Sequence, residues 1–540
     1  MMQFSGKSVC PGIAIGPVAL LKKNNRPIER SEIKDPDAEI EKVLSATQQA
    51  KRRLQKLRQK AQKEMGDSSA AILEAHQMLL EDESYQIFIQ NVIQSQRVNA
   101  AYAVASASDY FSEMFAGMDD DYMRARADDI KDISAHLIRI LEGHGETDFS
   151  RLKPFILVAD DLSPSETVRM DKEKILAIVT VGGSANSHTA ILARTMNIPA
   201  LVGAPLDLAK IQDNMTAVVD GFEGKVTFNP DARSLARAEK RAEQERKRLR
   251  LLEDLKGKDD VTLNGKRIHL YANAGNVSDV AHALENDARG IGLFRSEFLY
   301  LGRDDFPTEE EQLQAYKQAA QAMAGKKVII RTLDIGADKK ADYFLLEKEE
   351  NPAMGYRAIR ICLKQPDIFK TQLRALLRAA VFGNISIMYP MITSVEEVRQ
   401  IFALVKEAQT ELEQAGIPCR LPEQGIMIET PAAVMISDEL AQLADFFSIG
   451  TNDLTQYTLA IDRQNARLDD FYDPHHKAIL KMIQMTVKNA HKHGKWVGVC
   501  GELGADPSLV ETFIRMGVDE LSVPPSMILE IRKVIRQLNV

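Results

Sequence analysis

The sequence predicts a multidomain α/β protein: a β/α domain interrupted by a helical bundle, then a charged linker helix, then a C-terminal (β/α)8 barrel. Three observations lead there. The stretch from Asp37 to Lys153 has no proline, four glycines, and an abundance of Ala, Gln, Lys, Glu and Leu. A strongly charged run, Ala232–Lys258, follows a short β-rich segment. Beyond Val261, eight short β-type runs alternate with helical patterns to the end of the chain.

Each element has its reason. Good helix formers without breakers give a bundle of about four helices, with apolar residues three and four apart in Ala38–Met65 and Ala70–Glu81. In the β-rich segment, Phe155–Ala159, Ile175–Val181 and Thr216–Val219 read as strands, and Ser187–Met196 as a helix among them. Ser163-Pro164-Ser165-Glu166 reads as a capping box with Pro at the first helical position. An early strand within Gly12–Leu20 joins this domain, so the bundle is an insertion. Leu235, Ala242, Leu249 and Leu252 form one stripe of an amphipathic linker helix. The eight runs of the last part are His269–Ala274, Gly290–Phe294, Val328–Thr332, Ile385–Tyr389, Gly425–Ile428, Phe446–Ile449, Trp496–Val499 and Glu520–Val523. Thr308-xx-Glu311 and Ser394-xx-Glu397 open two of the helices between them. Eight strand–helix units in about 280 residues fit a closed barrel, usually of ~250 residues, better than a doubly wound sheet. The expected domains are 1–23 with 148–231, the insert 24–147, the linker 232–260 and the barrel 261–540.

Composition narrows the function. The 540 residues carry 69 Lys plus Arg against 77 Asp plus Glu, a net charge of −8, which argues against nucleic acid as a partner. Four cysteines without a CxxC pair fit a reduced, cytoplasmic protein. The apolar stretch Cys10–Leu21 is broken by Pro11, Gly12, Gly16 and Pro17, and no run is long enough to insert in a membrane.

Barrel active sites lie at the carboxyl ends of the strands. There the sequence places Asn273, Arg295, Arg331 with Asp334, Met391, Glu429, Asn452 with Asp453, Cys500 with Glu502, and Pro524. Arg295, Arg331 and Arg463 suit an anion, since guanidinium forks grip phosphate and carboxylate bidentately. Glu429 and Asp453 end adjacent strands and offer hard oxygens to Mg²⁺, although pairing with the arginines is the plainer alternative. Cys500 at the barrel mouth is expected to be protonated, with Glu502 disfavouring the thiolate, and so to serve as a proton donor. A buried filler is the bland alternative. His188 follows the small-residue loop Gly182–Ser187 and opens a helix, where free N–H groups and the helix dipole favour phosphate.

These segments resemble the phosphoenolpyruvate–protein phosphotransferase family, the Enzyme I proteins of the bacterial sugar phosphotransferase system. The resemblance covers nearly the whole chain. It is carried by Ser187-His188-Thr189-Ala190-Ile191-Leu192-Ala193-Arg194, Gly292–Phe298, Arg331–Gly336, Glu429–Ala433, Phe446–Tyr457 and Cys500–Leu503, in the family's order. It implies a swivelling phosphohistidine domain whose His188 Nε2 attacks phosphorus. It further implies that Arg295, Arg331, Arg463, Asn452 and the backbone near Asp453 bind phosphoenolpyruvate. Glu429 and Asp453 would hold Mg²⁺, and Cys500 would protonate enolpyruvate. The helical insert would dock the histidine-containing phosphocarrier protein (HPr), and the barrel would form a homodimer.

Two departures stand out. The family's usual Gly-Gly-Arg-Thr before Ser-His is Gly183-Ser184-Ala185-Asn186 here, so the arginine preceding the histidine is absent. Many members also carry a further C-terminal helix beyond the position of Val540, so dimer strength is expected to differ. Members of the nitrogen-regulatory branch usually carry an N-terminal sensory domain, and none precedes Cys10. The alternatives are the related pyruvate phosphate dikinase and phosphoenolpyruvate synthase, which need an ATP-binding domain that this length does not accommodate, and a non-catalytic phosphoacceptor scaffold.

Overall fold

The computed structural model describes residues 1–21, 28–64, 67–116, 121–143, 153–162, 166, 174–183, 189–190, 193, 198–301, 303, 305–336, 342–344, 347, 349–463 and 465–540. The chain forms two compact units, Met1–Arg248 and Leu249–Val540.

In the first unit, hydrophobic strands assemble an eight-stranded sheet. Its strands are β1 (Met2–Ser5), β2 (Lys7–Cys10), β3 (Ile13–Leu21), β4 (Phe155–Ala159), β5 (Ile175–Thr180), β6 (Ala200–Val202), β7 (Thr216–Asp220) and β8 (Lys225–Phe228), in spatial order β1-β8-β7-β3-β4-β5-β6-β2. Strand β3 runs parallel to β4 and antiparallel to β7, so the early strand joins the sheet as expected. All five side chains of β4 are buried, because apolar clusters cover both faces of the sheet. Between β3 and β4 come five helices among the described residues: α1 (Pro36–Glu64), α2 (Asp67–Glu81), α3 (Glu83–Gln96), α4 (Ala100–Ala116) and α5 (Asp121–Leu141). The sequence reading expected about four. The extra break is Asp82, which is extended and accepts from the Tyr85 N–H as an N-cap, ending α2 and starting α3.

The second unit begins within α6 (Ala232–Glu253), the expected charged helix. Eight parallel strands then close into a barrel: β9 (His269–Ala274), β10 (Ile291–Arg295), β11 (Val328–Arg331), β12 (Ile385–Tyr389), β13 (Glu423–Ile428), β14 (Phe446–Gly450), β15 (Trp496–Cys500) and β16 (Glu520–Val523), with β16 pairing to β9. The two capping boxes anticipated in the barrel form, at Thr308/Glu311 and Ser394/Glu397, and the helices they open run Glu309–Ala322 and Val395–Gln414; Ser163–Ser165 of the third anticipated box lie outside the described residues. Inside the barrel, Leu293, Ile329, Met388, Met427, Phe446 and Cys500 make one apolar plug, with Trp496 stacked on Phe446 at 4.5 Å between ring centroids. Such a filled interior confines chemistry to the mouth formed by the loops after the strands.

No described helix is long and apolar enough to cross a membrane.

Candidate active site at the barrel mouth

Strand ends fix the first pair of arginines. Arg295 and Arg331 close β10 and β11 and sit opposite each other in register. Arg295 is exposed, whereas Arg331 is buried. Burial works against the Arg331 charge, but Asp334, Glu297, Glu429 and Asp453 outweigh it and hold the guanidinium firmly protonated. Arg331 donates to Glu297 through Nη2 and lies 2.9 Å from Asp334 Oδ2 through Nη1. The other Asp334 oxygen accepts from Arg357 Nη2 at 2.9 Å. Arg331, Asp334 and Arg357 are 7, 3 and 4% exposed, so this is a desolvated, rigid array. Glu297 and Arg357 were not singled out from the sequence.

Across the mouth stand the carboxylates. Glu429 follows β13 and is 1% exposed. Its Oε1 accepts the Met391 N–H at 2.6 Å, while Oε2 has no hydrogen-bond partner. Met391 reaches that position with φ +58°, a left-handed conformation costing a non-glycine residue about 1–3 kcal/mol. Gly450 leaves the space beside Glu429, since a Cβ there would lie 2.9 Å from Glu429 Oε2. Burial, then the charges of Asp453 and Asp334, push the Glu429 carboxyl up to about 8, against the pull of Arg331. Asp453, in the first turn after β14, has a buried Oδ1 without a hydrogen bond, 3.4 Å from Arg463 Nη2.

Glu429 Oε2, without a hydrogen bond, and Asp453 Oδ1, held by the 3.4 Å ion pair to Arg463, are hard oxygens of the kind a small divalent ion with few protein ligands takes. Among the described residues no group of three or more His, Cys, Asp or Glu side chains could hold a metal unaided, so water and substrate would complete the shell.

The remaining positions follow the strand ends. Asn452 accepts from the Glu502 N–H at 3.0 Å and donates to its side chain at 3.4 Å. This close approach is open because Gly501 stands at φ +108°, where a Cβ would meet Thr451 Oγ1 at 2.5 Å. Asn273 is held by Ser522, whose hydroxyl donates to its Oδ1 at 2.6 Å. Cys500 is 1% exposed; its Sγ accepts from the Ser448 hydroxyl at 3.2 Å and donates to the Ile449 carbonyl at 3.5 Å. Burial pushes the thiol up to about 12, with Glu520 and Glu429 adding to the effect against Ser448 and Arg331. The thiol is therefore protonated, as expected, but the responsible carboxylates differ: Glu502 is exposed and occupied with Asn452. The structure thus brings Arg295, Arg331, Glu429, Asn452, Asp453, Arg463 and Cys500 to one end of one barrel. His188 lies outside the described residues, as do Ser184–Ser187.

Residues 250–540 match the family model of the PEP-utilising enzyme, PEP-binding domain; residues 5–126 match the N-terminal model and 152–224 the mobile-domain model of the same enzymes. The chain is 40% identical to the phosphoenolpyruvate-protein phosphotransferase of Priestia megaterium over 539 residues, covering 99% of this chain and 94% of that protein. It is 41% identical to that of Geobacillus stearothermophilus, covering 99% and 93%, and 40% identical to that of Bacillus subtilis (strain 168), covering 100% and 95%.

Proposed function

Since this chain belongs to the phosphoenolpyruvate–protein phosphotransferase family, we propose a residue-level route for its transfer of the phosphoenolpyruvate phosphoryl group. Its activity is phosphotransfer from phosphoenolpyruvate in the phosphotransferase system. His188 Nε2 attacks phosphorus: the N–P bond forms, the P–O bond to the enol oxygen breaks, and the electron pair stays on the enolate. The enolate carbon then takes the proton of the Cys500 thiol, giving pyruvate. A histidine of the phosphocarrier protein HPr, docked on α1–α5, finally receives the phosphoryl group.

The observation that carries the route is the array at the barrel mouth. Arg331 and Arg357, locked on a shared Asp334, hold guanidinium groups in fixed positions for a phosphorylated carboxylate, with Arg295 and Arg463 at the rim. Preorganised charge of this kind is the main source of catalysis in phosphoryl transfer. Asn452 orients the same substrate. Glu429 and Asp453 would hold Mg²⁺, which when bound offsets phosphate charge. Cys500, dry and firmly protonated, hands over a proton only to a strong base such as an enolate. The protein is read as cytoplasmic and as a homodimer through the barrel.

The test is labelling with phosphoenolpyruvate carrying a radioactive phosphoryl group, with Mg²⁺ and with or without HPr. An acid-labile, base-stable label that His188→Ala abolishes is expected. Labelling unaffected by that change would refute the route.

A further inference from the structure

One buried acid is unused by this route. Glu520, on β16, is 0% exposed, and neither carboxyl oxygen has a hydrogen-bond partner. Ionised and unpaired, such a group would cost several kcal/mol. Burial holds it well above the usual carboxylate range, and only the Lys327 ammonium opposes this. The barrel has made room for it. Gly292 on β10 and Gly498 on β15 stand where a Cβ would fall 2.4 Å from its Oε1 and 1.9 Å from its Oε2. Side chains are thus missing from the neighbouring strand β15 and from β10, one strand beyond β9, and one carboxyl fills their place.

That carboxyl lies beneath the reactive thiol. Gly498 pairs in register with Glu520 and Cys500 with Ser522, so Glu520 is one inward-facing step below Cys500 along the β15–β16 ladder. The two groups interact electrostatically. The other titratable groups that sense Glu520 are Tyr271 of β9 and Lys327 preceding β11. The route leaves Cys500 as a thiolate in an apolar interior after each pyruvate is made, and burial strongly disfavours that thiolate.

We propose that Glu520 is the proton reserve of the barrel, a positioning residue that acts through Cys500 by returning the proton the thiol has given up. Neither Glu520 oxygen is within hydrogen-bond reach of Sγ, so the proton crosses on a bridging water: the Glu520 O–H bond breaks, the water accepts that proton and gives one of its own, and the Cys500 S–H bond forms; the resulting carboxylate regains its proton from solvent before the next turnover. The inference rests on Cys500 being the donor to the enolate.

The experiment compares the first turnover with the steady state in the full chain, by rapid-quench measurement of pyruvate with Mg²⁺, phosphoenolpyruvate and excess HPr. The first turnover uses the proton already on sulfur. In Glu520→Gln the ratio of steady-state to first-turnover rate is expected to fall about 100-fold, the scale of one acid–base group. Ultraviolet thiolate absorbance should accumulate, and Glu520→Asp, which keeps an acid, should recover most of the ratio. An unchanged ratio in a folded Glu520→Gln, or equal losses in the Gln and Asp variants without thiolate absorbance, would overturn the proposal. Cys500→Ala separates the two ideas: a slowed first turnover there sustains the thiol as donor even where Glu520→Gln behaves as wild type. An unslowed one removes the donor role itself, and the proposal with it.

Discussion

Asp334→Asn tests whether the buried arginine array works as a unit. In the native protein each carboxylate oxygen serves one guanidinium, Arg331 and Arg357, at 2.9 Å. Asparagine keeps one acceptor but turns an NH2 toward the other arginine. Hydrogen bonds to charged groups contribute about 1.5–3 kcal/mol each, and breaking a buried ion pair costs about 3–5 kcal/mol. A competing effect runs the other way: removing a carboxylate raises the positive field felt by an anionic substrate. That field acts on bound substrate and transition state alike, so it lowers KM without raising kcat. Misplaced guanidiniums act on the transition state. Taking about 3 kcal/mol for the lost orientation, at 1.36 kcal/mol per tenfold, kcat should fall on the order of 10²-fold while KM for phosphoenolpyruvate does not rise. Pyruvate release coupled to NADH oxidation by lactate dehydrogenase, with saturating HPr, measures both. A kcat within about threefold of wild type in a folded variant would refute the reasoning.

Other perturbations reach separate parts of the site. Cys500→Ser should slow pyruvate formation about 10²-fold or more while leaving phosphoenolpyruvate affinity nearly intact by titration calorimetry; equal losses of both would remove the proton-donor role. Gly498→Ala drives a Cβ to 1.9 Å from Glu520 Oε2, and with Gly292 walling the opposite oxygen the carboxyl has no retreat. Chemical denaturation should show a loss of about 1–3 kcal/mol, and an unchanged midpoint would contradict the tight niche. The Glu520 carboxyl is raised in the fold, so its contribution is fully present below the ordinary value of 4.5 and is lost as pH rises toward the folded value. Glu520→Gln should therefore gain stability relative to wild type as pH increases above about 4.5, and a pH-independent difference would contradict a buried neutral acid.

The barrel was legible because parallel strands buried on both faces read as uninterrupted apolar runs. All eight appear, three with the anticipated ends and five shifted by one or two residues. The missed strands β1, β2, β6 and β8 are three or four residues long, and β1, β2 and β8 leave residues part-exposed, so none makes a run. The strand-end residues of the site were visible because the fold itself puts such positions together. Arg357 was not, since a long irregular stretch after β11 brings it to Asp334; Glu297, two residues past the end of β10, was passed over because nothing in its type or spacing marks it as the partner of Arg331. Glu502 was mistaken for the acid governing Cys500 because it is near in sequence. Glu520, twenty residues away, is its diagonal neighbour, one inward-facing step down the β15–β16 ladder. The available signal was glycine at Gly292 and Gly498 within strands, which marks a place where something else fills the barrel.

The most direct measurement of the central claim is the amplitude of pyruvate released when phosphoenolpyruvate and Mg²⁺ are mixed with the protein in the absence of any phosphocarrier. If the phosphoryl group comes to rest on His188, the burst should equal one pyruvate per active chain and then stop, and His188→Ala should show none. Continued release without the carrier, or an undiminished burst from His188→Ala, would contradict the account.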